Sequence, residues 1–443
     1  MMIHIIGGGL AGSEAAWQAA KRGVKVDLYE MRPLRSTEAH KTGKLGELVC
    51  SNSLRSDDPS SPSGVLKREL QMAGSLIMES ARKHSLPAGG ALAVDREKFA
   101  QFISDRIEEH ENIRIVRGEV ERIPEGVVVI ATGPLTSETM VREIRGLINS
   151  EYLSFYDAIA PIISYDSIDL ARVFWGSRYG KGGDDYINCP MNEDEYNLFY
   201  DELIAADTVH KRDFEDARMF EGCMPVEVMA SRGRDTLRYG PLKPVGLVDP
   251  GSGKMPYAVV QLRAENIEKS SFNMVGFQCR IKWPEQKRVF RMIPGLENAE
   301  FLRYGSIHRN TFINAPLSVN KDMTFRSNRD VYVAGQLSGV EGYLESTAIG
   351  LLAGINAARK IKGQDQVDVP ESSAHGALIR HLIESDPKRF QPSNINLGLF
   401  PPLGEKIRDK KKKRELVAER ALKEWAVYIE KLKDRIELTG AVE

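Results

Sequence analysis

The chain has 443 residues, 42% of them hydrophobic, and a formal net charge of −1. That length supplies two or three domains with a large core, and the near-neutral balance excludes a global positive field for nucleic acid. No apolar run reaches the roughly 18 residues that cross a membrane, and the first residues already read as strand and turn, so neither a span nor a leader is expected. The four cysteines, Cys50, Cys189, Cys223 and Cys279, are far apart. Without a C-x-x-C pair, no metal site or local redox pair is predicted. Reduced thiols in the cytoplasm fit this usage.

In chain order, an apolar run at residues 3–6 is followed by Gly7, Gly9 and Gly12 in G-x-G-x-x-G spacing. A helix-compatible stretch then runs to Arg22, and a second apolar run at 24–29 closes on Glu30. Strand, tight turn, helix, strand and acid form the fingerprint of a dinucleotide site. Gly7 permits the turn, Gly9 lets a pyrophosphate approach the backbone, and Gly12 lets the helix pack on the sheet. The positive helix end faces the phosphates. Glu30 stands where a carboxylate accepts from both ribose hydroxyls of an adenosine.

Residues 47–55, ELVCSNSLR, surround Cys50 with turn and cap formers. Residues 87–95, PAGGALAVD, read as a loop leading into a helix at 96–109. A buried strand at 126–134 ends in Ala-Thr-Gly. A long stretch of different character follows, with strand-like runs at 161–165, 257–262 and 272–277 between glycine-rich turns. A second cysteine, Cys223, lies there between Glu221 and Glu227 in a turn set by Gly222 and Pro225. A strand at 331–334 then meets Gly335, and a long helix rich in small residues is predicted from Glu345 or Ser346. Residues 367–403 read as short helices and loops. Residues 406–414, KIRDKKKKR, open an amphipathic helix at 415–435 that carries Leu416, Ala421, Leu422, Trp425, Ile429 and Leu432 near one side.

The three glycine-marked segments resemble flavin-binding folds of the glutathione-reductase type. The predicted fold class is therefore α/β: a Rossmann-like FAD-binding domain, an inserted mixed α/β domain and a C-terminal helical segment. The predicted boundaries are 1–150 and 300–443 for a discontinuous FAD-binding domain, with its basic helix from about 405, and 151–299 for a substrate- and RNA-facing insert. The predicted cofactor-binding residues are Gly7, Gly8, Gly9, Leu10, Ala11, Gly12, Glu30, Gly133, Gly335 and Gln336. Gly335-Gln336 departs from the Gly-Asp that most such flavoproteins carry, which weakens one contact to the ribityl chain or pyrophosphate.

The stretches VCSNSL, GCMPVE, GPLKPVGLVDP, RYGSIHRNT and FQPSNINLGLFPP, with the opening GGGLAGSEAA, carry a closer likeness. The chain resembles the bacterial folate- and FAD-dependent tRNA methyltransferases, which make 5-methyluridine in the T-loop, and the matches fall in family order along nearly its whole length. A neighbouring family, which modifies wobble uridines, is longer. The resemblance implies 5,10-methylenetetrahydrofolate as one-carbon donor, NAD(P)H as reductant through FAD, and the T-arm of tRNA as partner. It maps two catalytic thiols to Cys223 and Cys50. Cys223 is the expected nucleophile at uracil C6 and Cys50 the expected proton shuttle or base, with the reverse assignment open. Candidate folate contacts are His308, Asn310, Gln336, Tyr343 and Trp283, with Lys282, Lys287 and Arg288 for the glutamate tail. Candidate RNA contacts are Lys410, Lys411, Lys412, Lys413 and Arg414, together with an arginine-rich part of the insert (Arg212, Arg218, Arg232, Arg234, Arg238). The alternatives are a flavin-dependent oxidoreductase, another tRNA-uridine-modifying flavoprotein, and a non-catalytic RNA-binding flavoprotein.

Overall fold

The computed structural model describes residues 2–148, 153–209, 224–404 and 407–437. Buried aliphatic residues and a glycine turn build the first unit. Strand β1 (Met2–Ile6) leads into helix α1 (Leu10–Ala20), and β2 (Lys25–Glu30) returns parallel to β1, with Ile3 beside Val26 and Ile5 beside Leu28. The turn requires glycine at position 7. Its φ is +105°, and a Cβ there would lie 2.5 Å from the Ala131 carbonyl oxygen. A Cβ on Gly12 would fall 1.8 Å from the Gly7 carbonyl oxygen, so helix and turn close only without a side chain.

The chain continues through β3 (Ser53–Ser56), α2 (Pro62–Met72), α3 (Leu76–Lys83), β4 (Ser85–Leu86), β5 (Ala91–Val94) and α4 (Arg96–Glu108). Ser61, Ser75 and Asp95 cap the three helices, each side chain accepting a first-turn backbone N–H. Strands β6 (Ile113–Arg117) and β7 (Val127–Ile130) and helix α5 (Glu138–Arg145) follow. The middle of the chain forms β8 (Leu153–Ile159), β9 (Ile162–Ser164), β10 (Phe174–Trp175), β11 (Tyr186–Met191), α6 (Glu193–Ala205), α7 (Val226–Ala230), α8 (Thr236–Tyr239), β12 (Ala258–Ala264), β13 (Ser271–Met274), α9 (Trp283–Phe290) and β14 (Phe301–Arg303). The last part forms β15 (Ser306–Phe312), α10 (Ala315–Ser318), β16 (Val331–Val333), α11 (Tyr343–Ile361), α12 (Ala374–Glu384) and α13 (Lys410–Glu437).

Among the described residues, a parallel sheet has the order β16-β7-β1-β2-β6, and an antiparallel sheet has the order β10-β11-β12-β13-β9-β14. Strands β15 and β8 pair antiparallel, and β3, β5 and β4 form a small sheet of their own. One apolar core gathers residues between Ile3 and Ile148 with residues between Phe312 and Leu432. A second gathers residues between Ile163 and Ala299. In the first, α11 lies directly on α1. A Cβ on Gly350 would be 2.3 Å from the Ala11 carbonyl oxygen, and one on Gly354 2.4 Å from that of Ala15, so this contact is backbone on backbone.

Three readings shift against the structure. Residues 87–95 are not all loop: β5 lies inside them and pairs with β3, with Ser53 opposite Ala93. Helix α11 begins at Tyr343, before Glu345, because Gly342 at φ +110° turns the chain into it. The amphipathic helix expected at 415–435 starts earlier, and the basic run supplies its first turn, started by Asp409, whose carboxylate accepts from Lys411 N (2.8 Å) and Lys412 N (3.2 Å). Helix α13 then docks on α2: Trp425 is buried, donates from Nε1 to the Glu69 carbonyl (2.8 Å), and stacks on His375 at 4.1 Å.

Candidate active site

A cleft opens at the carboxyl ends of β1, β7 and β16. Gly7, Gly9, Leu10, Ala11 and Glu30 line one side, Thr132, Gly133 and Thr136 another, and Gly335, Gln336, Tyr343 and Ser346 the third. The parallel strands aim two helix starts at this cleft, α1 and α11, each with unpaired N–H groups and a positive end. A Cβ added to Gly9 or Gly133 would meet nothing within 4 Å, so both glycines leave open space above their backbones. Gly8 and Gly12 support the turn from behind. Gly8 donates its N–H to Glu30 Oε2 at 2.9 Å.

Glu30 is more committed than the sequence suggests. Its Oε1 accepts from Arg32 N and Nε (2.9 Å each), and its Oε2 accepts from Gly8 N and from Arg32 Nη2 (3.0 Å). These four bonds use the lone pairs of the carboxylate, so a ribose hydroxyl reaches Glu30 by exchanging for an Arg32 donor. Burial alone would raise the Glu30 pKa, but the Arg32 guanidinium and the two backbone N–H groups hold it below the usual carboxylate range. Arg32 also reaches Glu47 (2.9 Å), which ties the strand to the loop before Cys50. Nothing in its sequence position marked Arg32.

Cys50 follows Glu47 and Val49, both of which line the cleft. Its backbone N–H donates to the Tyr343 hydroxyl (2.8 Å), as does that of Ser51 (3.2 Å). Arg303 donates to the carbonyls of Val49 and Cys50 at 3.0 Å each, and Arg96 donates to that of Leu48 and pairs with Glu265 (2.8 Å). Arg263 donates to Asn52 Oδ1 (2.9 Å) and Ser51 Oγ (2.8 Å), while Asn52 Nδ2 donates to the carbonyls of Val94 (3.0 Å) and Ala264 (2.9 Å). Burial, and then the neighbouring Arg96 charge, pushes Arg303 below its usual pKa, and burial pushes the Tyr343 hydroxyl up. Three arginines and one tyrosine thus fix the backbone on both sides of the thiol. Arginine in a sequence reads first as a phosphate ligand, which is why this role was not anticipated.

The remaining candidates are placed as follows. Cys223, Arg212 and Arg218 lie outside the described residues. His308 sits in β15 opposite Asp157, and its side chain lies outside what is described. Asn310, in the same strand, is buried, and its Nδ2 has no hydrogen-bond partner among the described residues. Gln336 donates to Glu341 Oε2 (2.5 Å). Trp283 does not line the cleft; it is 61% exposed. Lys410, Lys411, Lys412 and Lys413 are exposed and Arg414 is half-buried. Asp58 is held below the carboxylate range first by bonds from Ser60. In the middle of the chain Arg234 is bound to Asp201 and Arg238 to Asp235 (2.7 Å). Arg288 is held by Glu202 and by Glu285 (2.7 Å), and Lys282 by Asp207 (3.2 Å). On α13, Lys411 lies 4.0 Å from Glu415, and Lys410, Lys412 and Lys413 are exposed without an ion pair among the described residues.

Sheet order, glycine turn and paired helix starts define a dinucleotide-binding protein of the GidA class. The family model for glucose inhibited division protein A matches residues 2–365, and a GidA structure from Aquifex aeolicus superimposes with a TM-score of 0.71 at 16% identity, over 97% of this chain and 73% of that one. The methylenetetrahydrofolate–tRNA-(uracil-5-)-methyltransferase TrmFO of Natranaerobius thermophilus is 56% identical, over 97% of this chain and all of that protein. Its counterpart in Brevibacillus brevis is 54% identical, over 95% and 96%. The chain belongs to this methyltransferase family. Among the described residues no helix is long and apolar enough to cross a membrane.

Proposed function

We propose that this protein is an enzyme that transfers a one-carbon unit from 5,10-methylenetetrahydrofolate to C5 of the T-loop uridine of tRNA, giving 5-methyluridine. The observation that carries the reading is the position of Cys50: the residues just before it line the glycine cleft, and its amide is fixed by Tyr343, which lines the same cleft. The family membership supplies donor and acceptor.

The residues present suit FAD. Gly7, Gly8, Gly9, Leu10, Ala11 and Gly12 would hold the pyrophosphate at the start of α1, Glu30 with Arg32 the adenosine side, and Gly133, Gly335 and Gln336 the flavin end. When bound, FAD would carry electrons from NAD(P)H to reduce the transferred methylene to a methyl group. The chain's own work is to bind, orient and move protons. Uracil C5 is a weak nucleophile, and addition of a thiolate to C6 makes it an enolate carbon. Cys223 is assigned this addition. The C5–methylene bond forms as the first of the methylene's two carbon–nitrogen bonds to the folate breaks. Cys50 is assigned removal of the C5 proton, which expels the second folate nitrogen and leaves an exocyclic methylene on C5; delivery of hydride to that methylene with elimination of the Cys223 thiolate from C6 then restores the ring. The start of α11 favours negative charge developing beside it. Asn310, with its unpartnered buried Nδ2, offers a donor to the pterin, beside His308, Gln336 and Tyr343. Lys410, Lys411, Lys412, Lys413 and Arg414 would follow the T-arm backbone. The two apolar cores are read as a cofactor domain (1–150 and 300–443) and an RNA-facing insert (151–299), in a cytoplasmic enzyme.

The test is incubation of the flavin-loaded protein with NAD(P)H, folate donor labelled in its methylene group, and a T-arm RNA. Label in 5-methyluridine supports the reading. Unlabelled RNA with turnover of the nicotinamide on a small acceptor would replace it with a flavin oxidoreductase.

A further inference from the structure

Trp283 is a large apolar side chain left 61% exposed at the first position of α9. One of its faces is covered: Tyr304 stacks on it at 5.4 Å with 14° between the rings, and Phe301 stacks on Tyr304 at 5.1 Å and 15°. The stack is held rigidly. Gln286, fully buried, donates to the carbonyls of Ile281 (2.6 Å) and Gly305 (2.9 Å) and accepts from Gly305 N (2.8 Å), which locks the start of α9 to the turn that carries Tyr304. The residue before Tyr304 is Arg303, whose guanidinium holds the carbonyls of Val49 and Cys50. The aromatic stack therefore rises from the same turn that fixes the thiol loop.

We propose that the open face of Trp283 is a stacking platform for a nucleobase of the RNA strand that enters beside Cys50. This rests on the tRNA reading above. The chemistry favours a polynucleotide over the folate. Small-ligand sites enclose most of their ligand, whereas this ring projects from the protein and does not border the glycine cleft. Every base presents a π-face, so a preorganised aromatic surface binds a displaced strand without reading its sequence. A cation accompanies the ring: Lys287, on the same helix, is exposed with no ion-pair partner among the described residues, whereas Lys282 is paired with Asp207. A target uridine that leaves its stack needs its neighbours held apart, and an aromatic face on the turn whose Arg303 grips the Cys50 loop supplies that hold.

The experiment uses the full flavin-loaded chain and a T-arm stem-loop RNA. RNA should quench tryptophan fluorescence, and Trp283→Phe should remove most of that signal while keeping RNA affinity, because Trp17 and Trp425 are buried and Trp175 is half-buried. Trp283→Ala should raise the RNA Kd about 5- to 150-fold with flavin content and the KM for methylenetetrahydrofolate unchanged. Unchanged RNA affinity in Trp283→Ala overturns the proposal, and a raised folate KM at constant RNA affinity assigns the ring to the folate instead. If the wild-type chain methylates RNA and Trp283→Ala binds it normally, only the platform fails. If the wild-type chain labels no RNA, the tRNA reading fails with it.

Discussion

Two walls of one cleft are built by opposite means. The cradle of residues 7–12 is local: a strand, a turn with one glycine at φ +105°, and a helix start, all within a few residues. The wall around Cys50 is assembled from afar. Arg303 reaches it across 253 positions of sequence and Tyr343 across 293. The cradle's shape is set by what glycine lacks, and that of the thiol loop by what arginine donates. A local motif survives in any chain that keeps its spacing, whereas the thiol loop depends on both apolar cores being folded and docked.

The largest effect expected from breaking the cradle comes from Gly12→Val. With a Cβ position 1.8 Å from a backbone oxygen, the helix must move off the turn. A cost of about 3 kcal/mol and loss of bound flavin should appear together in thermal melts and absorbance. On the other wall, Cys50→Ala should lower methylation at least about 100-fold, the range of a lost general base, while flavin content and melting temperature stay near wild type. Arg303→Met sharpens the contrast. It removes the donor from two carbonyls, at a cost of about 1–3 kcal/mol, and should slow methylation about 10- to 100-fold by letting the loop drift, with flavin affinity unchanged. If Arg303→Met instead released flavin, the two walls would not be separable.

The smallest effect concerns Glu30. Its folded pKa lies below the unfolded value, so its contribution to stability is complete above about pH 4.5 and is lost as pH falls through the lower folded value. Acid titration of unfolding should show this loss in the wild type, and Glu30→Gln should lack it while being less stable at neutral pH. An identical acid profile in both chains would mean that the Arg32 pair contributes nothing.

This contrast also explains what was legible beforehand. The parallel sheet, α1, β7 and the long α11 were readable because each announces itself by a glycine turn and an apolar run. The thiol at Cys50 was readable from its motif, but its supports were not. Arg96 and Arg303 carry no local sign that they donate to backbone carbonyls, nor Arg263 that it donates to the Ser51 and Asn52 side chains, and Tyr343 suggested a folate contact rather than an anchor for the Cys50 amide. Asn52 resembled a cap, yet it is a buried bridge between β5 and β12. Long-range polar contacts have no period and no spacing, so only the assembled fold reveals them.

The central claim is that a one-carbon unit passes to RNA beside this thiol. Mass spectrometry of T-arm RNA after incubation with methylene-labelled methylenetetrahydrofolate and NAD(P)H tests it most directly. The account predicts one labelled methyl group on C5 of the T-loop uridine with the wild-type chain and none with Cys50→Ala. Equal labelling by both proteins, or a uridine left unmodified by active flavin-loaded wild-type enzyme, would contradict it.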